Sequence, residues 1–468
     1  MRIPFWRWPQ HGPVRRGLFF AMLEGAVVSG MFVALEVWMV PLVQTCLAAP
    51  AFVIGLLTLV PQLGMLVLSP WTRRIIAWHG GPRAAALASC WWQIACLALL
   101  SLPLHARDAV WALPLAVALI SVIGVSNVIA SPAWIAWTST FVPRLISGRY
   151  QARRMWLFNI VKLGFAAAFA GCAHLWPLAE EPWGMQAILV CAVVSRLISL
   201  CCLAQQPYLE RRVALPALSS QRTQLVAAGF TGFLRQLTSS DAGRWTLVWS
   251  SFVGGVMVGG PFFASYMIAS REQGGLALDP LWYSALIYTS VVARILFFPL
   301  VGRMVDLFGA RAVLRSAVCI ILCIPIPWVL TSNPWWLVAT EVVAGIAWAG
   351  AEIAIGALLF AAHPDPERRA EISGYFNCIA AAGIIAGTAI GSLLIELAPS
   401  WLGNHYHTVF LVSVLLRLPG VLLAIRWLPG LRPLDERERH HLVQALPGVE
   451  LVSAFGRGLN SLFRQVVD

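Results

Sequence analysis

The stretch Ala109-Val-Trp-Ala-Leu-Pro-Leu-Ala-Val-Ala-Leu-Ile-Ser-Val-Ile-Gly-Val-Ser-Asn-Val-Ile-Ala-Ser131 contains no Asp, Glu, Lys or Arg. At about 1.5 Å of rise per residue, such a run crosses the roughly 30 Å hydrocarbon core of a bilayer as a helix. Lipid offers no hydrogen-bond partners, and a helix satisfies its own backbone. Comparable runs lie on either side of it. Before it come Gly17 to Val40, Ala48 to Leu68 and Ala84 to Leu104, and after it Met155 to Trp176 and Met185 to Leu203. A second series follows: Trp245 to Ser270, Leu281 to Val301, Ala312 to Leu330, Trp335 to Ala361, Ile372 to Leu397 and Thr408 to Leu428. Hydrophobic residues make up 59% of the chain and charged residues 12%, against roughly 45–50% and about 25% in soluble proteins. The reading is an all-α membrane protein with twelve transmembrane helices. Met1 to Arg16 does not read as a signal peptide, because the apolar run after it is a full span without a small-residue cleavage pattern.

Arginine sets the expected orientation. Outside the spans, every arginine except Arg107 and Arg271 falls at the N-terminus, in alternate loops on one side, or in the C-terminal tail. The positive-inside rule places both termini in the cytoplasm. The net charge of +12 follows from this asymmetry and points to anionic lipid headgroups. Nucleic acid is not expected, since no basic cluster alternates with aromatics as a single-strand groove requires. Lys162 is the one lysine; this arginine bias points to a GC-rich bacterial genome and a bacterial plasma membrane. The ten cysteines lie in or at the edges of spans, not in pairs across outside loops, so no disulfide framework is expected. Cys319 and Cys323 share a helix face, but two soft ligands do not make a metal site. No metal or cofactor is expected.

The chain divides into two halves, residues 1–203 and 245–428, separated by a polar linker at 204–244 and followed by a tail at 429–468. Gly124 precedes Pro143 by the same nineteen residues that separate Gly345 from Pro364. A basic loop follows each proline, then Phe158-Asn159 in one half and Phe376-Asn377 in the other. Parallel six-helix repeats are the mark of a large transporter architecture with its site between the halves near mid-membrane. Leu225 to Leu237 is expected as a short amphipathic surface helix. The tail from Gly448 to Val467 has the pattern of an interfacial helix, and Phe5, Trp6 and Trp8 of a further anchor.

Between the eighth and ninth runs stands Gly302-Arg-Met-Val-Asp306-Leu-Phe-Gly309-Ala-Arg311. It resembles the G-x-x-x-D-x-x-G-x-R loop of the major facilitator superfamily. The glycines allow a tight turn and close helix approach, Asp306 suits a helix N-terminus or an arginine, and Arg311 supplies a countercharge. The resemblance implies a cytoplasmic gate at Gly302, Asp306, Gly309 and Arg311. The matching first-half loop, Arg73 to Arg83, has Ala77 where the acid would align, so the latch is expected to rest mainly on Asp306. The fifth run lacks the Gly-Pro motif of the superfamily's drug–proton antiporters. Ser131 to Trp137, Gly148 to Arg154, Gly260 to Phe263 and Gly374 to Asn377 resemble a poorly characterised bacterial branch. The family implies two pseudo-symmetric six-helix bundles, with runs one, four, seven and ten lining the cavity and five facing eight.

Ionisable residues inside a span are costly unless paired or hydrated, which makes them functional candidates. Glu24, Glu36 and Glu352 are the candidate proton-coupling residues. Burial disfavours a charged carboxylate and a neighbouring cation favours it, so a Glu moved between such surroundings trades a proton. Lys162 and Arg294 are the candidate binders of an anionic group. Trp134, Trp249, Tyr266, Asn127, Asn159 and Asn377 complete the candidate substrate pocket, with Trp92, Trp137, Trp348, Tyr288 and Gln93 as further aromatic or amide neighbours. Glu341, Arg196, Glu396 and Arg417 lie nearer span ends, where long side chains snorkel. Gly383, Gly387 and Gly391 form a small-residue seam.

The expected function is secondary active transport of a small organic, amphipathic or anionic solute by alternating access, coupled to protons. The other reading is a non-transporting sensor or assembly factor on the same scaffold. No Walker-type loop, H-E-x-x-H or G-x-S-x-G occurs, so neither ATP drive nor an enzyme is expected. The expected partners are solute, protons and membrane lipid, and the expected state is a monomer.

Overall fold

In the computed structural model, the described residues are 12–39, 43, 46–47, 51–143, 146–176, 183–208, 229–272, 274–278, 280–397 and 404–431. They form α1 (Gly12–Trp38), α2 (Ala51–Leu68), α3 (Pro82–His105), α4 (Ala112–Thr138), α5 (Ser147–Leu175) and α6 (Trp183–Ala204). The second series is α7 (Asp241–Met267), α8 (Pro280–Phe308), α9 (Ala310–Leu330), α10 (Pro334–Ala361), α11 (Pro366–Leu397) and α12 (His405–Trp427). Eleven stretches of the described chain are long and apolar enough to cross a membrane, and α2 adds an 18-residue apolar helix at the position of the second run. The tail and aromatic N-terminus lie outside the described residues. Of the expected surface helix, the described part is the short helix Gly229–Arg235.

Local chemistry explains the helix starts. Asn333, Asn404 and Ser240 accept backbone N–H bonds at the heads of α10, α12 and α7, which satisfies donors a helix start leaves open. Gly309, with φ of 85°, turns the chain between α8 and α9, a conformation a side chain would strain.

Several helices begin earlier or end later than hydropathy indicated. α5 opens at Ser147 rather than Met155, α11 at Pro366 rather than Ile372, and α8 runs on to Phe308 rather than Val301. Hydropathy measures the thickness of lipid, whereas the backbone helix continues through polar residues, among which arginine is a good helix former. The basic segment before Phe158 is therefore not a loop but the first two turns of α5.

Helices α1–α6 pack on one another, as do α7–α12, and the halves meet along α5–α8, α2–α11, α4–α11 and α5–α10. Within the second half, α7 and α11 approach backbone to backbone. A Cβ at Gly254 would lie 3.0 Å from the carbonyl oxygen of Gly383, and Gly387 and Gly391 face the carbonyls of Gly254 and Val258. The glycine seam is thus a helix–helix contact.

Candidate functional site

Polar contacts between the halves gather at the arginine-rich end. Asp306, near the end of α8, accepts N–H bonds from Gly148 (2.9 Å) and Arg149 (3.3 Å) at the start of α5, and from the Arg149 guanidinium at 2.6 Å. A carboxylate there meets both the open donors and the positive end of the helix. Gly302 lies against Ala152 and the Gly148 carbonyl, so its missing side chain lets the two helices touch. Arg311 does not join this cluster but pairs with exposed Asp241 at 2.9 Å.

The matching first-half contact has the opposite polarity. Arg73, in the short helix Thr72–Trp78, lies 4.0 Å from Glu371 near the start of α11. Glu371 also takes bonds from Arg368 (2.8 Å) and Tyr375 (2.6 Å), while Arg369 donates to Ser139 at the end of α4. Ala77 is replaced in role by an acid on the opposite half.

Deeper in the protein the charges form two groups. The first surrounds a cavity of about 320 Å³ enclosed mainly by α1, α3, α4, α5 and α6, with Gly356 and Phe360 of α10 closing one side. Glu24 reaches Arg154 at 3.2 Å and Arg196 at 4.0 Å, and accepts from Ser199 at 3.4 Å. Arg196 donates to Gln93 at 2.8 Å, and Gln93 donates to Asn127 at 2.8 Å and to Ser126 at 3.0 Å. The Arg154 guanidinium lies over the Trp134 ring, 4.1 Å from its centroid, while its buried Nε has no hydrogen-bond partner. The wall thus carries two guanidiniums and one carboxylate among mostly apolar side chains.

The second group bridges the halves. Lys162 of α5 pairs with Glu36, which lies in a π-helical turn, Ala34–Trp38, at the end of α1. Arg294 of α8 donates to Glu352 of α10 at 2.7 Å. Lys162 is near enough to interact electrostatically with Glu352. Glu341, one helix face along α10, hydrogen-bonds Ser290 and feels the charge of Arg294. Three carboxylates here accompany two cations.

Of the expected substrate residues, Trp134 and Asn127 line the cavity, together with Glu24, which was expected to couple protons. Lys162, Arg294, Glu36 and Glu352 come together apart from it. Asn159 donates to the Met155 carbonyl in its own helix, and Trp249 packs edge-on against Trp348. Asn377 is half-buried on α11 and does not line the cavity. Tyr266 lies with Trp328, Tyr406 and Phe410 near the other end, its hydroxyl 3.1 Å from His407 Nε2. Trp92 is 63% exposed and Trp137 is buried against the Pro207 carbonyl. Arg196 and Arg417 do not snorkel. Both are buried, Arg417 donating to the Ile321 carbonyl at 2.8 Å. Sequence reading missed Arg154 and Arg196 as cavity residues. Glu24, an acid in need of a partner, with paired arginines at the edge of the fifth run, was the available signal.

A sequence model of the Major Facilitator Superfamily matches residues 274–466. A triacylglyceride transporter of Mycolicibacterium smegmatis (strain ATCC 700084 / mc(2)155) is 27% identical over 195 residues, 42% of this chain and 33% of that protein. The class G tetracycline resistance protein of Vibrio anguillarum is 28% identical over 166 residues, 34% of this chain and 36% of that one. The matched part of the chain therefore spans about a third of the length of these curated relatives. Among solved structures, the transporter FucP in its outward conformation superposes with a TM-score of 0.64 at 12% identity, covering 87% of this chain and 98% of that one.

Proposed function

We propose that this chain, a member of the major facilitator superfamily by its second-half sequence and its fold throughout, carries an anionic amphipathic solute across a bacterial plasma membrane by alternating access. Both termini lie in the cytoplasm, on the arginine-rich side. The conformer described is closed on that side, where Asp306, Arg369 and Glu371 join the halves.

The carrying observation is the charge balance of the cavity in the first half, which α10 closes on one side. Arg154 and Arg196 share a single carboxylate, Glu24, between them. The uncompensated charge of the two guanidiniums suits a carboxylate, sulfonate or phosphate headgroup. Trp134, Phe360, Phe32 and Phe158 on the wall suit an apolar body. The Lys162–Glu36 and Arg294–Glu352 group carries the coupling. With Glu341 the group holds three acids to two cations, and Glu352 takes up a proton in one conformer and releases it when rocking of the halves changes its distance from Lys162. Rocking separates these two because they sit on different halves.

A ligand-stabilisation screen of the purified chain tests this reading. Medium-chain carboxylates and aryl sulfonates raise the melting temperature, and their uncharged amide or alcohol counterparts do not. Equal stabilisation by cationic or neutral amphiphiles sinks the assignment. Uptake into proteoliposomes under an imposed pH gradient tests the coupling, and flux indifferent to that gradient removes it.

A further inference from the structure

We propose that the arginine-rich end of the first half contains a phosphate-binding pocket, separate from the transport cavity. It is a cavity of about 480 Å³ where the starts of α1 and α3 meet the end of α6, lined by Gly12, Arg16, Arg83, Gln205 and Gln206 among others.

Three features of this cavity favour a phosphate. Arg16 donates to the Gln205 side chain and Arg83 to the Ala204 carbonyl at 3.0 Å, which fixes both guanidiniums while leaving each with further N–H groups. Arg83 is also held against the ring of Trp137, 5.6 Å from its centroid. Gln206 is only 1% exposed, yet neither its Oε1 nor its Nε2 has a hydrogen-bond partner. A bare buried amide is unusual, and its N–H donors suit a phosphate oxygen. No carboxylate is among the described lining residues.

The ligand chemistry is a phosphate mono- or diester, held by two guanidinium forks and one amide. Its source is either a glycerophospholipid headgroup of the inner leaflet, where basic pockets between helices bind such groups, or phosphate in solution.

Native mass spectrometry of the full chain tests the pocket with phosphatidylglycerol, diacylglycerol and inorganic phosphate as probes. Binding of phosphatidylglycerol without diacylglycerol, weakened at least tenfold in Arg83→Gln and in Gln206→Glu, supports the pocket with a lipid source. Binding of inorganic phosphate with the same variant sensitivity supports it with a soluble source. The Arg16→Gln variant, exposed like Arg83→Gln, provides the same comparison should the buried Gln206 substitution fail to fold. Arg235→Gln, an exposed arginine outside the cavity, serves as the control. The proposal is overturned if no phosphate-bearing probe binds, or if the pocket variants bind it as well as the Arg235→Gln chain.

Discussion

The two interior charge groups differ in burial and in balance. Around Glu24 the side chains are drier: Glu24 is 4% exposed, Arg196 5% and the Arg154 side chain 13%, and two cations share one acid. Around Lys162 the side chains are wetter, with Glu36 half exposed and three acids sharing two cations. A dry site with surplus positive charge suits holding an anion, because attraction is strong where water cannot screen it. A wetter site with surplus acid, split between two moving halves, suits exchanging protons. Binding and coupling are thereby assigned to different residues, and each assignment can be broken separately.

The largest effect is expected at Glu24. In Glu24→Gln the buried Arg196 and the partly buried Arg154 lose the one carboxylate they pair with, and leaving a buried charge uncompensated costs about 3 kcal/mol. Thermal unfolding in detergent reads this as a marked fall in melting temperature. A melting curve matching the native chain would show the cavity to be wetter than its burial indicates, erasing the contrast. Next, Arg154→Gln is expected to weaken binding of a stabilising anion about 100-fold, the scale of a lost charge-assisted hydrogen bond. Titration calorimetry checks it, and affinity lost equally for an uncharged analogue would mean the cavity had deformed.

A narrower and different change is expected in Glu352→Gln. Accumulation driven by a pH gradient is lost, while solute exchange at equal concentrations and ligand affinity stay close to native. If Glu24→Gln uncouples and Glu352→Gln does not, the two groups exchange roles. The smallest effect belongs to Glu36→Gln. Its partly exposed pair with Lys162 is worth about 0–1 kcal/mol, so flux changes by no more than about fivefold. A complete loss would promote Glu36 to the coupling site itself.

The fold was readable because lipid permits so little else. Apolar runs of span length, such as Ala109 to Ser131, admit few structures, and α4 is where that run placed it. Helix ends were not readable, since α5 and α11 continue through arginine and glutamate where hydropathy falls silent. That limit concealed Arg154, which reads as part of a basic loop but lies two turns inside α5, facing Glu24. Lys162, Arg294 and Glu352 were visible as charges among apolar neighbours, and their proximity required the helices to be placed. Asp306 was legible through its glycine-flanked loop. Its counterpart Glu371 was not, because the acid and the arginine had changed sides between the halves.

The glycine-lined contact between α7 and α11 has a mechanical consequence. With carbonyl oxygens set directly against bare Cα atoms, there is no cushion of side chains to absorb sliding. The two helices must turn as one shaft. Since α11 also rests on α2 and α4, torque delivered at Glu371 reaches α7 without slack. One added methyl at position 387 would wedge that axle apart and stall the cycle at a point distant from every charge in the protein.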